Sequence, residues 1–216
     1  MVDFAGPVRA GNPTKGSDPM HDLAEGVARF QRDVFPAKDG LFARLAGQHT
    51  PHTLFIGCSD ARVVPELITD SEPGELFVIR TAGNLVPAYS PGPDGVTASI
   101  EYAVAVLGVR DIVVCGHSAC GAMTALAQRH DLSGASATAD WLRHADAARA
   151  RVASAGDIDA LVRHNVLAQL ANLATHPSVA RALAERDLTL HGWIYDIPTG
   201  RVTALDSAGH PAAMAA

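Results

Sequence analysis

Nothing in this 216-residue chain approaches the roughly 18 consecutive apolar residues that cross a bilayer, so no segment reads as a transmembrane helix. Positive charge is scarce too. Seventeen Lys and Arg stand against 23 Asp and Glu, for a net charge of −6 and a pI near 5.9. That balance argues against a nucleic-acid partner or an anionic membrane surface. Cysteine is limited to Cys58, Cys115 and Cys120, and no basic segment followed by an apolar stretch opens the chain. Neither a disulfide framework nor a signal peptide is indicated. A reducing cytoplasm is the expected location, and it leaves the thiols free for metal. No internal repeat or domain linker is visible.

What is present is a globular composition, 48% apolar and 19% charged, in a length that suits one large domain. Residues 1–19, rich in Gly and Pro, read as a flexible arm, and residues 20–216 as a single domain. Leu23, Val27, Phe30 and Val34 recur at helical spacing and predict an amphipathic helix that ends before Pro36. Apolar runs at 53–57, 76–79 and 111–115 predict buried strands. A short helix is expected from Pro65 and another from Asp94 or Thr97 to about Leu107. A helix from Ser118 or Ala119 to about Arg129 should follow the third strand. Two Ala-rich helices are predicted near 139–153 and 157–174, then a strand pair at 188–195 and 202–205. Alternating strands and helices with unbroken apolar strands imply an α/β fold. Its mainly parallel sheet is flanked by helices and finished by the C-terminal strand pair.

Two of the strands end on soft metal ligands. Thr53-Leu54-Phe55-Ile56-Gly57 runs into Cys58-Ser59-Asp60-Ala61-Arg62, and Asp111-Ile112-Val113-Val114-Cys115-Gly116 runs into His117-Ser118-Ala119-Cys120-Gly121. In a parallel sheet both ends meet at the edge where open α/β folds place their sites. A single cysteine there is more often a small buried hydrophobe. Two thiols and an imidazole at matching strand ends are what zinc selects, and three protein ligands leave the open fourth position of a catalytic ion. His117 and Cys120, three apart, are expected on the first turn of a helix, whose N-terminus would favour a thiolate at Cys120. Cys115 is expected to pack in the core. Two thiolates neutralise Zn²⁺, so the ion acidifies its bound water less, and a neighbouring acceptor is needed. Asp60 can serve as that acceptor, with Arg62 holding it ionised and oriented.

At these residues the chain resembles the β-class carbonic anhydrases. Cys58-x-Asp60-x-Arg62 and His117-x-x-Cys120-Gly121 are similar to that family's zinc motif. Pro73–Arg80 with Ala82-Gly83-Asn84, Ile100–Val104 and Val113–His117 extend the similarity to roughly residues 20–206. The resemblance implies reversible hydration of CO₂ to bicarbonate and a proton by zinc-bound hydroxide. Cys58, His117 and Cys120 would be the ligands of one zinc per chain, with Asp60–Arg62 as the catalytic dyad. It places the apolar substrate pocket on Phe77 and Tyr102, and a hydrogen-bonding glutamine on Gln48. It also implies a homodimer or a dimer of dimers, with the N-terminal helix reaching the partner. Some bacterial members bind bicarbonate at an inhibitory site of Trp, Arg and Tyr, and there the aspartate moves onto zinc. The corresponding residues are Phe55, Arg80 and Tyr195, so the missing Trp favours the open arrangement.

Three rival functions remain to be weighed. A serine hydrolase would use Ser118 in a nucleophile elbow, but Cys120 stands where the tight turn needs Gly. Hydrolysis of carbonyl sulfide or carbon disulfide would use the same fold and zinc, and steady-state turnover of each gas separates it from CO₂ hydration. A non-catalytic zinc- or bicarbonate-binding module should lack the dyad, which is present.

Overall fold

The computed structural model describes residues 19–154 and 156–214, which fall into two compact units divided at 49/50. The expected arm over 1–19 lies outside these residues, apart from Pro19, which already belongs to α1.

In the first unit, α1 (Pro19–Arg29) runs on through a π-helical turn, Phe30–Val34, and a 3₁₀ turn, Phe35–Ala37, to α2 (Asp39–Leu45). The predicted helix is therefore present, and Pro36 marks its tightening into the 3₁₀ turn. Phe30, Phe35 and Phe42 form an aromatic cluster with centroids 5.4–6.2 Å apart. The predicted apolar stripe is not buried: Leu23 is 65% and Val27 56% exposed.

The second unit is built on a six-stranded sheet in the order β2-β1-β3-β4-β5-β6. Its strands are β1 (Thr53–Cys58), β2 (Leu76–Thr81), β3 (Asp111–His117), β4 (Thr189–Asp196), β5 (Arg201–Leu205) and β6 (Pro211–Ala212). The first four pair in parallel and the last two antiparallel, as the unbroken apolar runs and the C-terminal strand pair predicted. Leu54, Ile56, Ile112 and Val114 form one buried face, and Phe55, Val113 and Cys115 the other.

Between strands lie α3 (Pro65–Thr69), α4 (Gly95–Glu101, prolonged by a π-helical turn to Val106), α5 (Gly121–Ala127), α6 (Ser136–Leu142), α7 (Asp146–Arg149), α8 (Ile158–Leu173) and α9 (Pro177–Glu185). Asp94 caps α4 by accepting the Thr97 N–H at 2.7 Å, and Asp157 caps α8 through Ala160 at 2.8 Å. The sequence reading misses α2, α9 and β6. It also merges α6 and α7, which a 3₁₀ turn at Arg143–Ala145 separates. There the His144 carbonyl accepts the Gln169 side chain at 3.2 Å.

Two glycines let α8 lie directly on the sheet. A Cβ at Gly116 would meet Val166 Cγ2 at 2.9 Å and Val162 Cγ1 at 3.0 Å. A Cβ at Gly192 would meet Val166 Cγ1 at 3.0 Å and Leu170 Cδ1 at 3.1 Å. These valines are β-branched and stiff on a helix, so they cannot swing aside. Gly116→Ala should therefore lower the unfolding free energy by about 1–3 kcal/mol in denaturant melts, the cost of overpacking. Gly95→Ala, which faces open space at the start of α4, should change it little.

Candidate metal centre

The C-terminal ends of β1 and β3 bring Cys58, His117 and Cys120 together. One ligand atom from each lies within 4.8 Å of the others, and all three residues are buried. The route to Cys120 differs from the expected helical turn. β3 continues through His117, Ala119 turns left-handed at φ +53°, Cys120 is extended, and α5 begins only at Gly121. A left-handed non-glycine residue is strained. Here it reverses the chain within two residues and returns Cys120 to the strand end. His117 is thus the last residue of a strand and Cys120 the residue capping a helix.

His117 Nδ1 lies 2.9 Å from the Ser118 carbonyl oxygen. A carbonyl only accepts, so the Nδ1 proton sits there and Nε2 presents a lone pair. Nε2 is buried and has no hydrogen-bond partner. A buried polar atom left without a partner is costly, and a metal ion is the partner that a nitrogen between two sulfurs fits. Ser118 is itself fixed. Its N–H donates to Tyr195 O at 2.9 Å and its Oγ accepts from Ile197 N–H at 2.9 Å.

The sulfurs sit in backbone donors. The N–H groups of Asp60 and Gly83 point at Cys58, and those of Ala122 and Met123 at Cys120. The neighbouring Cys120 thiol lowers the Cys58 pKa against the opposing effect of burial. The same contact and burial push the Cys120 thiol up, so without metal the two sulfurs keep a shared proton as a pair. A metal displaces that proton. Cys115 is different: it packs with Phe55 and Val113, and burial pushes its thiol up to about 12.

Asp60 and Arg62 form a two-pronged ion pair, with Nε on Oδ1 at 2.9 Å and Nη2 on Oδ2 at 2.6 Å. The Arg62 N–H adds a bond to Oδ1 at 2.9 Å, and Nη2 reaches the Ala119 carbonyl at 3.1 Å. The guanidinium therefore clamps the dyad and the left-handed turn together. Oδ2 of Asp60 stands 3.9 Å from His117 Nε2, beside the ligand cluster. Arg80 holds the backbone below, donating to Cys58 O at 3.0 Å and Asp60 O at 2.5 Å. Sequence reasoning sees Arg80 only as part of a bicarbonate site and misses this backbone role. Phe55 is fully buried, and Trp193 on β4 meets it edge-on with ring centroids 6.3 Å apart.

The residues expected to form the substrate pocket lie on β2, on the π-helical turn after α4 and in the 19–49 unit. Phe77 and Tyr102 do meet, with ring centroids 6.0 Å apart. Phe77 pairs with Leu54 in the sheet, four residues before Cys58 in register, which is about 13 Å along the strand. Gln48 belongs to the 19–49 unit, where its N–H donates to Leu45 O at 3.3 Å.

A sequence-family profile described as carbonic anhydrase matches residues 53–202. The chain is 62% identical over 195 residues to a carbonic anhydrase of Pseudomonas aeruginosa, covering 88% of this chain and 89% of the relative. Among solved structures, the β-carbonic anhydrase CcaA superposes with a TM-score of 0.85 at 41% identity, over 91% of this chain and 100% of that one. One of two tetrameric β-carbonic anhydrases from the ascomycete Sordaria macrospora gives 0.77 at 33% identity, over 91% and 100%.

The hydrogen bond from the Arg62 side chain holds the Asp60 carboxyl at about 2, below the ordinary 3.8. Because the folded value is depressed, the pair's stabilisation is fully present above the ordinary carboxylate value and is lost as pH falls through 2. Carboxyl NMR titration of the metal-free protein should find Asp60 still ionised at about pH 3. Arg62→Ala should move the midpoint up toward the ordinary value. An unshifted midpoint in that variant would show that Arg62 does not hold the carboxylate.

Proposed function

The chain belongs to the β-carbonic anhydrase family, and from that premise we propose that it hydrates carbon dioxide reversibly, giving bicarbonate and a proton, at one zinc ion held by Cys58, His117 and Cys120. The observation that carries this reading is the buried, unpartnered His117 Nε2 clustered with the Cys58 and Cys120 sulfurs. The chemistry such an ion supplies is Lewis acidity, which makes hydroxide available from water near neutral pH.

The protein's own groups orient the attack. Asp60, fixed by three bonds from Arg62, presents Oδ2 next to the ligand cluster. With a pKa near 2 it is too weak a base to take up a proton at neutral pH. It is suited to act as a hydrogen-bond acceptor instead: with zinc held by the three ligands, Oδ2 would accept the O–H of the hydroxide and so orient it toward CO₂. Arg62 keeps the carboxylate charged and its plane fixed.

We assign the apolar wall for CO₂ to Phe77 and Tyr102 and the hydrogen-bonding amide to Gln48. The strand separation between Phe77 and Cys58 makes this wall one that a second copy of the chain would share. Self-association is also supported by the exposed Leu23, Val27, Phe30 and Phe35, and by Val106, which is 66% exposed. We assign a homodimer or dimer of dimers, with the α1 face covered by the partner. The three cysteines are free thiols, which suits a reducing cytoplasm.

Cys58→Ser, His117→Ala and Cys120→Ser should each lose most of the zinc measured by metal analysis, whereas Cys115→Ser keeps it. Asp60→Asn should keep zinc and lose about 100-fold or more in stopped-flow CO₂ hydration, as removal of a positioned acceptor does. Full zinc occupancy in the Cys58 variant would overturn the ligand set, and near-normal turnover of Asp60→Asn would remove the dyad from the mechanism. Sedimentation should give a mass that is an even multiple of the 22.5 kDa chain. A fully active monomer would exclude the shared wall.

A further inference from the structure

α8 carries Asn165, Gln169 and Asn172 among leucines, valines and alanines, and the first two are almost completely buried. Their amides form a ladder. Gln169 Nε2 donates to Asn165 Oδ1 at 2.9 Å, and Asn172 Nδ2 to Gln169 Oε1 at 3.2 Å. Besides a bond from Gln169 Nε2 to His144 O, three bonds of the ladder grip one segment. Asn165 Nδ2 donates to Gly83 O at 2.9 Å, Val86 N–H donates to Gln169 Oε1 at 2.9 Å, and Asn172 Nδ2 donates to Val86 O at 2.8 Å. From the other side Trp141 Nε1 donates to Ala82 O at 3.0 Å.

Buried amides give little net stability over apolar side chains of similar shape, so three in one helix call for a positional reason. The gripped segment supplies it. Gly83 and Asn84 both sit in the left-handed region, at φ +71° and +49°, a conformation that must be held from outside. The segment packs against the ends of β1 and β3 and against α5. A Cβ on Gly83 would meet Ala122 Cβ at 3.0 Å and Met123 Cε at 3.1 Å. Gly83 is thus pressed onto the turn whose amides face Cys120, and its own N–H points at the Cys58 sulfur.

We propose that the Asn165–Gln169–Asn172 ladder is a positioning device for the metal centre, which sets the Gly83 N–H on the Cys58 sulfur and so strengthens metal binding. These are positioning residues, acting through the 82–86 backbone. The inference rests on the reading of Cys58 as a zinc ligand.

The test measures zinc affinity by chelator competition, with Asn165→Leu as the ladder variant. Leu170→Ala, a core truncation on the same helix that packs over Gly192, is the control for general destabilisation. The two are compared alongside their metal-free melting temperatures. Asn165→Leu should bind zinc about 10-fold or more weakly than the parent, the usual cost of losing a residue that supports a ligand. Leu170→Ala should bind within about twofold of the parent on the same scale, even where its melting temperature falls as far. Cobalt-loaded Asn165→Leu should also show an altered thiolate-to-cobalt absorption band, which a purely structural loss would leave in place. Should Asn165→Leu not fold, Asn172→Leu, which removes the partly buried end of the ladder with its bonds to Val86 O and Gln169 Oε1, is read by the same two measurements. Equal zinc affinities and unchanged cobalt spectra in ladder variant and control would overturn the proposal. Failure of the unmutated protein to bind zinc would instead overturn the ligand reading beneath it.

Discussion

Negative charge on two buried sulfurs is the condition that the C-terminal edge of this sheet is built around. Cys58 and Cys120 are both shielded from solvent, where a thiolate is costly unless it is paired or hydrogen-bonded. Four backbone N–H groups face the two sulfurs, those of Asp60, Gly83, Ala122 and Met123. They come from three turns: the bend after β1, the left-handed segment after β2, and the start of α5, which supplies two. Three connections are therefore bent to serve one small volume. Gly83 and Ala119 are the positions where the backbone leaves its preferred region to do so.

The guanidinium groups extend the same logic outward. Arg62 ties the Asp60 carboxylate to the Ala119 carbonyl, so the turn that delivers Cys120 and the group that would orient a nucleophile move as one. Arg80 grips the carbonyls on either side of Ser59. Behind these, α8 lies on Gly116, one residue before His117, which leaves the ligand strand little freedom to shift toward the helix. The site is precise because close-packed strands support it from behind and each guanidinium is fixed at more than one point.

Much of this was legible because parallel strands buried on both faces write themselves as unbroken apolar runs, and ligands at their ends stand out against them. Cys58, His117 and Cys120 followed from that, and so did Asp60–Arg62. The helix at 118 was misplaced because Ala119 carries no sign of a left-handed turn; glycine or asparagine would have given one. The missed α9 has a visible signal in Pro177 at its first turn. The ladder on α8 was hidden for another reason. Asn165 falls in the apolar periodicity of its helix, and only the fold shows that its partner is the carbonyl of Gly83, 82 residues earlier. Phe77 and Tyr102 were recognisable as a pair, but the distance of Phe77 from Cys58 is a matter of strand register, which composition does not carry.

The arrangement of Asp60 also bears on whether its carboxylate can leave Arg62 for the metal. Such a move would break three bonds from Arg62 to the carboxylate and take it from a guanidinium that holds it strongly ionised. A competing ligand drives such a change only by its differential affinity for the two arrangements. On the neighbouring sheet face Phe55 is fully buried against Trp193, so β1 presents no indole N–H there, and Arg80 is engaged with the Cys58 and Asp60 carbonyls. Those carbonyl bonds pin the backbone of Asp60 in the position that suits its pairing with Arg62. Arg80 keeps further N–H groups that an anion could use, but Phe55 offers no indole N–H to join them as a Trp–Arg–Tyr site would. In this structure the bonds from Arg62 and Arg80 together hold Asp60 in the paired arrangement.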